Sequence, residues 1–198
     1  MGVSRQQAIE NRQAIIAAAE KLFRERGVDA VGLTELTKAA GFTQGGFYNH
    51  FQSKDALVAA VMNKAMEDGG ANLVTAIERS KKMAVDPLKR QIDWYLSHEH
   101  RDDIHEGCPV SGFAGDVRRL SKEVRKSYAE GVASNLDYLS SLINGQNKRD
   151  RKKKAIAILS QMVGTLMLSR AVAEADPALS DEILKSGRQQ LLLTLVDE

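Results

Sequence analysis

Apolar residues return every three or four positions over most of this chain, the spacing that gathers them on one face of an α-helix, and alternating β-branched runs are scarce. The first stripe is Ile15, Ile16, Ala19, Leu22 and Phe23, with Ser4 and Gln7 placed for a capping box at its start and Gly27 at its end. A long helix is predicted from Ser53 toward Lys81, with Leu57, Val61, Ala65, Leu73 and Ile77 inward. Gly69 and Gly70 interrupt it and admit two readings, a hinge or a point where another helix passes close. Asp86 before Pro87 is a cap followed by proline at the first helical position, opening a helix with Ile92, Trp94, Tyr95 and Leu96. Gly107, Cys108 and Pro109 punctuate the chain before a short helix through Phe113 and Val117. Ser121 opens a longer one with Val124, Tyr128, Val132, Leu136, Leu139 and Ile143, which Gly145 closes. Two final helices are predicted from about Asp150 and from Ser180. One carries Ile156, Leu159, Val163, Leu166 and Ala173, with Gly164 leaving room for a neighbour, and the other Ile183, Leu184, Leu191, Leu192 and Leu195. The pattern predicts an all-α fold.

Residues 33 to 54 depart from simple amphipathic patterning. Leu33 to Ala40 reads as a short helix with Thr34 capping its start, Gly41 stops it, and Thr43 caps a second short helix beyond the turn. That is the frame of a helix-turn-helix, whose second helix enters the major groove in proteins that bind DNA. Gly45 and Gly46 sit together in the second helix, each costing about 1 kcal/mol relative to alanine, which suits backbone that something must approach closely. Phe47 and Phe51, four apart, are placed to plug into neighbouring helices, leaving Tyr48, Asn49 and His50 to turn outward. Lys54 opens the next helix, with Ser53 as its cap. Hydroxyl, imidazole and ammonium groups on one edge suit phosphate oxygens, which set register on DNA without reading sequence. The same frame also occurs in interaction modules that never touch DNA.

Residues 12 to 58 resemble the N-terminal domain of the TetR/AcrR family of bacterial transcriptional regulators, through Ile16 to Ala19, Leu22, Phe23, Gly27, Leu33 to Gly41, Gly45, Phe47 to Phe51, and Lys54. The resemblance implies a three-helix helix-turn-helix DNA-binding domain, residues 1–52, followed by a larger helical effector-binding and dimerisation domain, residues 53–198. It implies a ligand-released repressor, a homodimer formed through the last two helices, and a near-palindromic double-stranded DNA operator. Carried across by position, Tyr48, His50, Lys54 and Thr34 match residues that grip phosphates, and Thr43, Gln44 and Asn49 match positions that face bases. Gly46 and Asn49 depart from the family's pattern, which often has a DNA-contacting side chain at the first and an aromatic at the second. Gln44 and Asn49 can still each pair bidentately with adenine. For a small-molecule effector, Met66, Trp94, Tyr95, Cys108, Phe113 and Tyr128 are the candidate walls of a pocket among the middle helices.

Composition narrows the partners. The 198-residue chain carries a formal net charge of only +2, so any DNA footprint is local rather than a general basic coat. Lys148, Arg149, Arg151, Lys152, Lys153 and Lys154 form a basic run opposed only by Asp150, expected as a solvated loop, with an acidic partner or added DNA contact as the other readings. A single cysteine excludes an internal disulfide framework, and no signal peptide or apolar run of membrane-spanning length is evident. A cytoplasmic protein with no membrane partner is expected.

Residues 98 to 108 hold three of the four histidines, the only cysteine and four carboxylates. They offer a metal-dependent helical enzyme as the rival function, but the spacing matches no established zinc motif, and no nucleophile has an evident base. No catalytic residue, metal or cofactor is expected. Cys108, just ahead of a predicted helix and near His105, admits a further reading, a regulator that senses oxidants or electrophiles through its thiolate.

Overall fold

The structure, a computed structural model, describes residues 4–196, without the side chains of Leu195 and Val196. Leu195, placed above in the last apolar stripe, therefore lies outside the described side chains. Among the described residues there are ten α-helices and no strand: α1 (Arg5–Arg26), α2 (Leu33–Ala39), α3 (Gln44–Tyr48), α4 (Lys54–Lys82), α5 (Pro87–Tyr95), α6 (His98–Asp102), α7 (Pro109–Val117), α8 (Lys122–Leu142), α9 (Lys148–Val172) and α10 (Pro177–Val196).

Local chemistry accounts for most helix starts. Ser4, Thr43, Ser53 and Ser121 each accept the backbone N–H three residues on, and Asp86 accepts those of Leu88 and Lys89. The capping box is only half formed, because the Gln7 amide turns forward to Asn11 instead of back to Ser4. Thr34 is not a cap: Gly32 holds that position, and Thr34 lies inside the first turn of α2. Gly27 and Gly41 have φ of 81° and 75°, the left-handed conformation that ends α1 and α2 without a Cβ penalty.

Two apolar clusters organise the molecule. The first joins Phe23, Leu36 and Phe47 of α1 to α3, and Phe51 just beyond α3, with Leu57 and Met62 of α4 and reaches Phe113 and Val124. The second gathers Ile92 and Tyr95 with Leu139, Leu159, Met162, Leu166 and Leu184. Helix α4 runs unbroken through Gly69 and Gly70. A Cβ at Gly69 would fall 2.7 Å from the Pro109 ring, so this glycine marks a close crossing of α4 with the start of α7. At the α9–α10 crossing Gly187 has that role, since a Cβ there would lie 2.5 Å from Thr165, while among the described residues nothing comes within 4 Å of a Cβ at Gly164. Ser169 and Ser180, both fully buried, clasp the same two helices, each hydroxyl donating to the other residue's carbonyl.

Two boundaries differ from expectation. Helix α10 starts a turn before Ser180, and α9 starts at Lys148 under an Asn147 cap, so the basic run forms helical turns rather than a loop. Asn147 and Asp150 make that start possible by taking up the positive end of the helix. With the charges gathered there, the rest of α9 is long and apolar enough, by length and composition, to cross a membrane, with a mean hydropathy of 1.5. That corrects the expectation of no such run. The helix packs on α8 and α10, with Ala155, Ile158, Leu159, Met162 and Leu166 buried.

Candidate nucleic-acid interface and internal cavity

Helix α3 has only five residues and is held by one deeply planted side chain. Phe47 is wholly buried and stacks on Phe51, ring centroids 5.6 Å apart, while Thr43 Oγ1 accepts the Gly46 N–H at 3.1 Å. Thr43, Gln44, Tyr48 and Asn49 are left on the exposed side, Tyr48 with 57% of its surface open. Gln44 Nε2 donates to Thr34 Oγ1 at 2.9 Å, so α2 and α3 present these two residues together. Gly45 has no side-chain neighbour closer than 4.0 Å to an added Cβ, which leaves its backbone bare toward the outside. A Cβ on Gly46 would lie 3.4 Å from Thr43 Oγ1 and 3.6 Å from the Phe42 ring, a site closed by the turn itself.

His50 and Lys54 are less free than their positions suggested. The half-buried His50 ring meets Phe42 edge-on at 5.9 Å. Lys54, also half-buried, donates to the Val28 carbonyl at 2.7 Å, holding the loop after α1 against the start of α4. A phosphate would have to share that ammonium. Sequence reasoning missed Arg12, whose guanidinium lies 4.0 Å over the Phe51 ring and donates to the His50 carbonyl at 2.6 Å, tying α1 to the end of α3. The available signal was a cation one turn ahead of Ile15 and Ile16, on the edge of the apolar stripe.

A cavity of about 820 Å³ opens between α1, α4, α5, the 105–109 loop and the facing turns of α8 and α9. It brings Trp94, Tyr95 and Cys108 together, but not the other candidate walls. Phe113 is buried beneath the Arg24 guanidinium at 5.1 Å. Met66 fills the space over Gly131, where a Cβ would fall 2.6 Å from its sulfur. Tyr128 donates to the Val110 carbonyl at 2.6 Å, and burial pushes its phenol up to about 12. Large side chains at tight helix crossings serve as packing, so these three are core. In their place the cavity uses Glu20, Lys21 and Arg24 from α1 and Asn135 from α8. Asn135, a buried amide within an apolar stripe, was the one such residue that the sequence pattern could have flagged.

The histidine-rich stretch disperses. His98 pairs with Asp181 at 3.1 Å and His105 with Glu25 at 3.0 Å, while His100 is buried. No group of three metal-ligating side chains converges among the described residues. His100 Nδ1 bonds the Tyr95 carbonyl at 2.8 Å and Nε2 accepts the Cys108 N–H at 3.0 Å, an arrangement that requires the neutral ring with its proton on Nδ1. Burial, with Arg170 and Arg24 nearby, pushes its pKa from 6.5 down to about 4. Trp94 stacks on this imidazole, centroids 4.3 Å apart. The Tyr95 hydroxyl lies beside the Cys108 thiol and the Ser111 hydroxyl without a well-formed hydrogen bond to either, and burial pushes its phenol well up.

The C-terminal end of α1 is fastened to this region. Arg24 donates to the Gly107 carbonyl at 2.9 Å, Glu25 meets His105, the Val28 N–H reaches Asp116 at 3.4 Å, and Asp29 meets Arg119 at 2.8 Å. Of these contacts, Arg24 with Gly107 and the His105 partner of Glu25 also line the cavity, so α1 is at that point both an edge of the helix-turn-helix unit and a wall of the cavity.

Known proteins resemble this chain in sequence and in fold. Residues 15–61 match the sequence model of bacterial regulatory proteins described as the tetR family. The chain is 36% identical to the transcriptional regulator TtgR of Pseudomonas putida, over 82% of this chain and 81% of that protein. It is 28% identical to the transcriptional repressor DhaR of a Mycobacterium species over 58% of this chain, an alignment spanning 56% of the repressor's length. A TetR regulator structure from Chloroflexus aurantiacus superimposes with a TM-score of 0.79, covering 98% of each chain at 19% identity, a likeness of fold.

Proposed function

Since the chain belongs to the TetR family of bacterial regulatory proteins and is a DNA-binding transcriptional regulator, we propose that it is a cytoplasmic repressor. In this reading it binds a near-palindromic operator as a homodimer and leaves DNA when a small molecule fills the cavity. The observation that carries the reading is the shared edge: the helix that positions α3 also walls the cavity, so occupancy of one bears on the other. Support for the dimer comes from α9, where Ile156, Ser160, Gly164 and Leu168 follow one another at four-residue steps on a face that the described residues leave largely open. Leu168 is 61% exposed and Leu193 of α10 is 59% exposed, which suits an apolar face that a second copy covers.

The test is a mobility shift on the DNA flanking the chain's own gene, with the number of protomers in the complex measured by sedimentation. Two protomers per site are expected, with affinity falling as salt rises. Tyr48→Ala should weaken binding about tenfold or more without changing the thermal midpoint, because the ring is exposed. No shift by the wild type at low salt, or equal binding by the variant, overturns the reading.

A second reading makes Cys108, the only cysteine, the trigger. It is favoured by the place of the residue on the cavity wall beside the unbonded Tyr95 hydroxyl. Addition of the thiolate to the double bond of N-ethylmaleimide should then release DNA from the wild type and leave the Cys108→Ser complex intact. Release of both proteins alike removes Cys108 from the mechanism.

A further inference from the structure

The cavity has a polarity that narrows what it takes. Its buried lining is Leu73, Leu139, Leu159 and Met162 together with Tyr95, 2% exposed, whose hydroxyl beside Cys108 and Ser111 makes no well-formed hydrogen bond. A phenol left unbonded in such surroundings forfeits a hydrogen bond that an oxygen on a bound molecule would restore. The outer end is different. Lys21, Arg79 and Arg90 line it, and none of the three makes an ion pair among the described residues. The Arg90 guanidinium is left against the Met83 sulfur at 3.3 Å. Of the acids on the same wall, Glu20 is committed to Arg24 and Asp68 to Lys64, leaving Glu106 alone without an ion pair against three cations. Between the two ends Trp94 is 46% exposed, with one face backed by His100. Its other face is a flat apolar platform.

From this gradient, and resting on the effector-released reading above, we infer that the cavity takes a planar aromatic carboxylate carrying a second oxygen at its far end. The ring system stacks on Trp94, the far oxygen meets the Tyr95 hydroxyl, and the carboxylate meets Arg79 and Arg90. A volume of about 820 Å³ accommodates two or more fused rings with room for water at the mouth. A neutral or cationic molecule of the same shape loses the charge-assisted bonds, the stronger of the polar terms available.

Isothermal titration calorimetry on the full chain tests this with 6-hydroxy-2-naphthoate, its carboxamide, and 2-naphthoate as probes. The acid is expected to bind about tenfold or more tightly than the amide, and more tightly than 2-naphthoate. Arg79→Met with Arg90→Met should make acid and amide equal while leaving amide affinity unchanged, which also reports that the cavity is intact. Tyr95→Phe should make the hydroxylated and plain acids equal. Equal binding of acid and amide by the wild type, a preference for the amide, or a preference that survives the double arginine variant overturns the inference. DNA binding by the same preparation, followed by mobility shift, reads the regulator function separately, so failure of the ligand class is distinguishable from failure of the repressor reading.

Discussion

Phe47→Ala should lower the stability of the chain by about 3 to 5 kcal/mol and weaken DNA binding about a hundredfold or more. The ring is wholly buried, stacks on Phe51 and meets Tyr48 edge-on at 5.4 Å, so truncation leaves a cavity bounded by residues from α1, α2 and α4 that cannot collapse together. Binding should suffer more than stability. A five-residue helix has no stability of its own, and with its anchor gone α3 and the exposed Tyr48 lose their fixed direction before the rest of the protein unfolds. Thermal denaturation followed by mobility shift at a temperature where the variant is folded separates the two effects. Phe47→Leu, which keeps most of the volume, should recover much of both. A Phe47→Ala protein that binds DNA within about threefold of the wild type would show that α3 is positioned by something else.

Acid should destabilise the fold through one imidazole. His100 is neutral in the folded chain, its pKa lowered to about 4 from the usual 6.5, chiefly by burial. Between those values the unfolded chain binds the proton and the folded chain does not, so the stabilisation is fully present above about pH 6.5 and is lost as pH falls through about 4. At about 1.4 kcal/mol per pH unit of separation, the loss amounts to about 3 kcal/mol. Protonation also turns Nε2 from the acceptor of the Cys108 N–H into a second donor facing it. Urea denaturation at pH 7 and pH 4 should register the fall, and His100→Gln, which cannot take up the proton, should flatten that part of the profile while lowering stability at pH 7. An unchanged slope in the variant would assign the acid sensitivity to the carboxylates instead.

What could be read from the sequence was what neighbouring residues decide between themselves. The caps at Ser4, Thr43, Ser53, Asp86 and Ser121 and the stops at Gly27 and Gly41 are local events, and the apolar spacing fixed which face of α1, α4 and α8 turned inward. The helix-turn-helix frame followed from these. Interactions across long stretches of chain were not legible. By sequence Lys54 is a cation for phosphates, because nothing near it announces the Val28 carbonyl, and Phe113 and Tyr128 are pocket walls, because aromatic character does not distinguish a lining residue from a packed one. The entry of α1 into the cavity depends on how α1 crosses α4 and meets the 105–109 loop. That crossing is set by the whole first cluster rather than by any motif.

The fastening of α1 has a mechanical consequence. With Arg24, Glu25, Val28 and Asp29 held to the Gly107 and Asp116 region, any turn of the helix-turn-helix unit as a body has its fulcrum at that edge, and Tyr48 rides at the far end of the lever. In the effector-released reading proposed above, a molecule in the cavity would press on the short arm, at Arg24 and Gly107. A small shift there would reach the outer surface of α3 amplified, and the contacts that look like fixings would set the gearing between them.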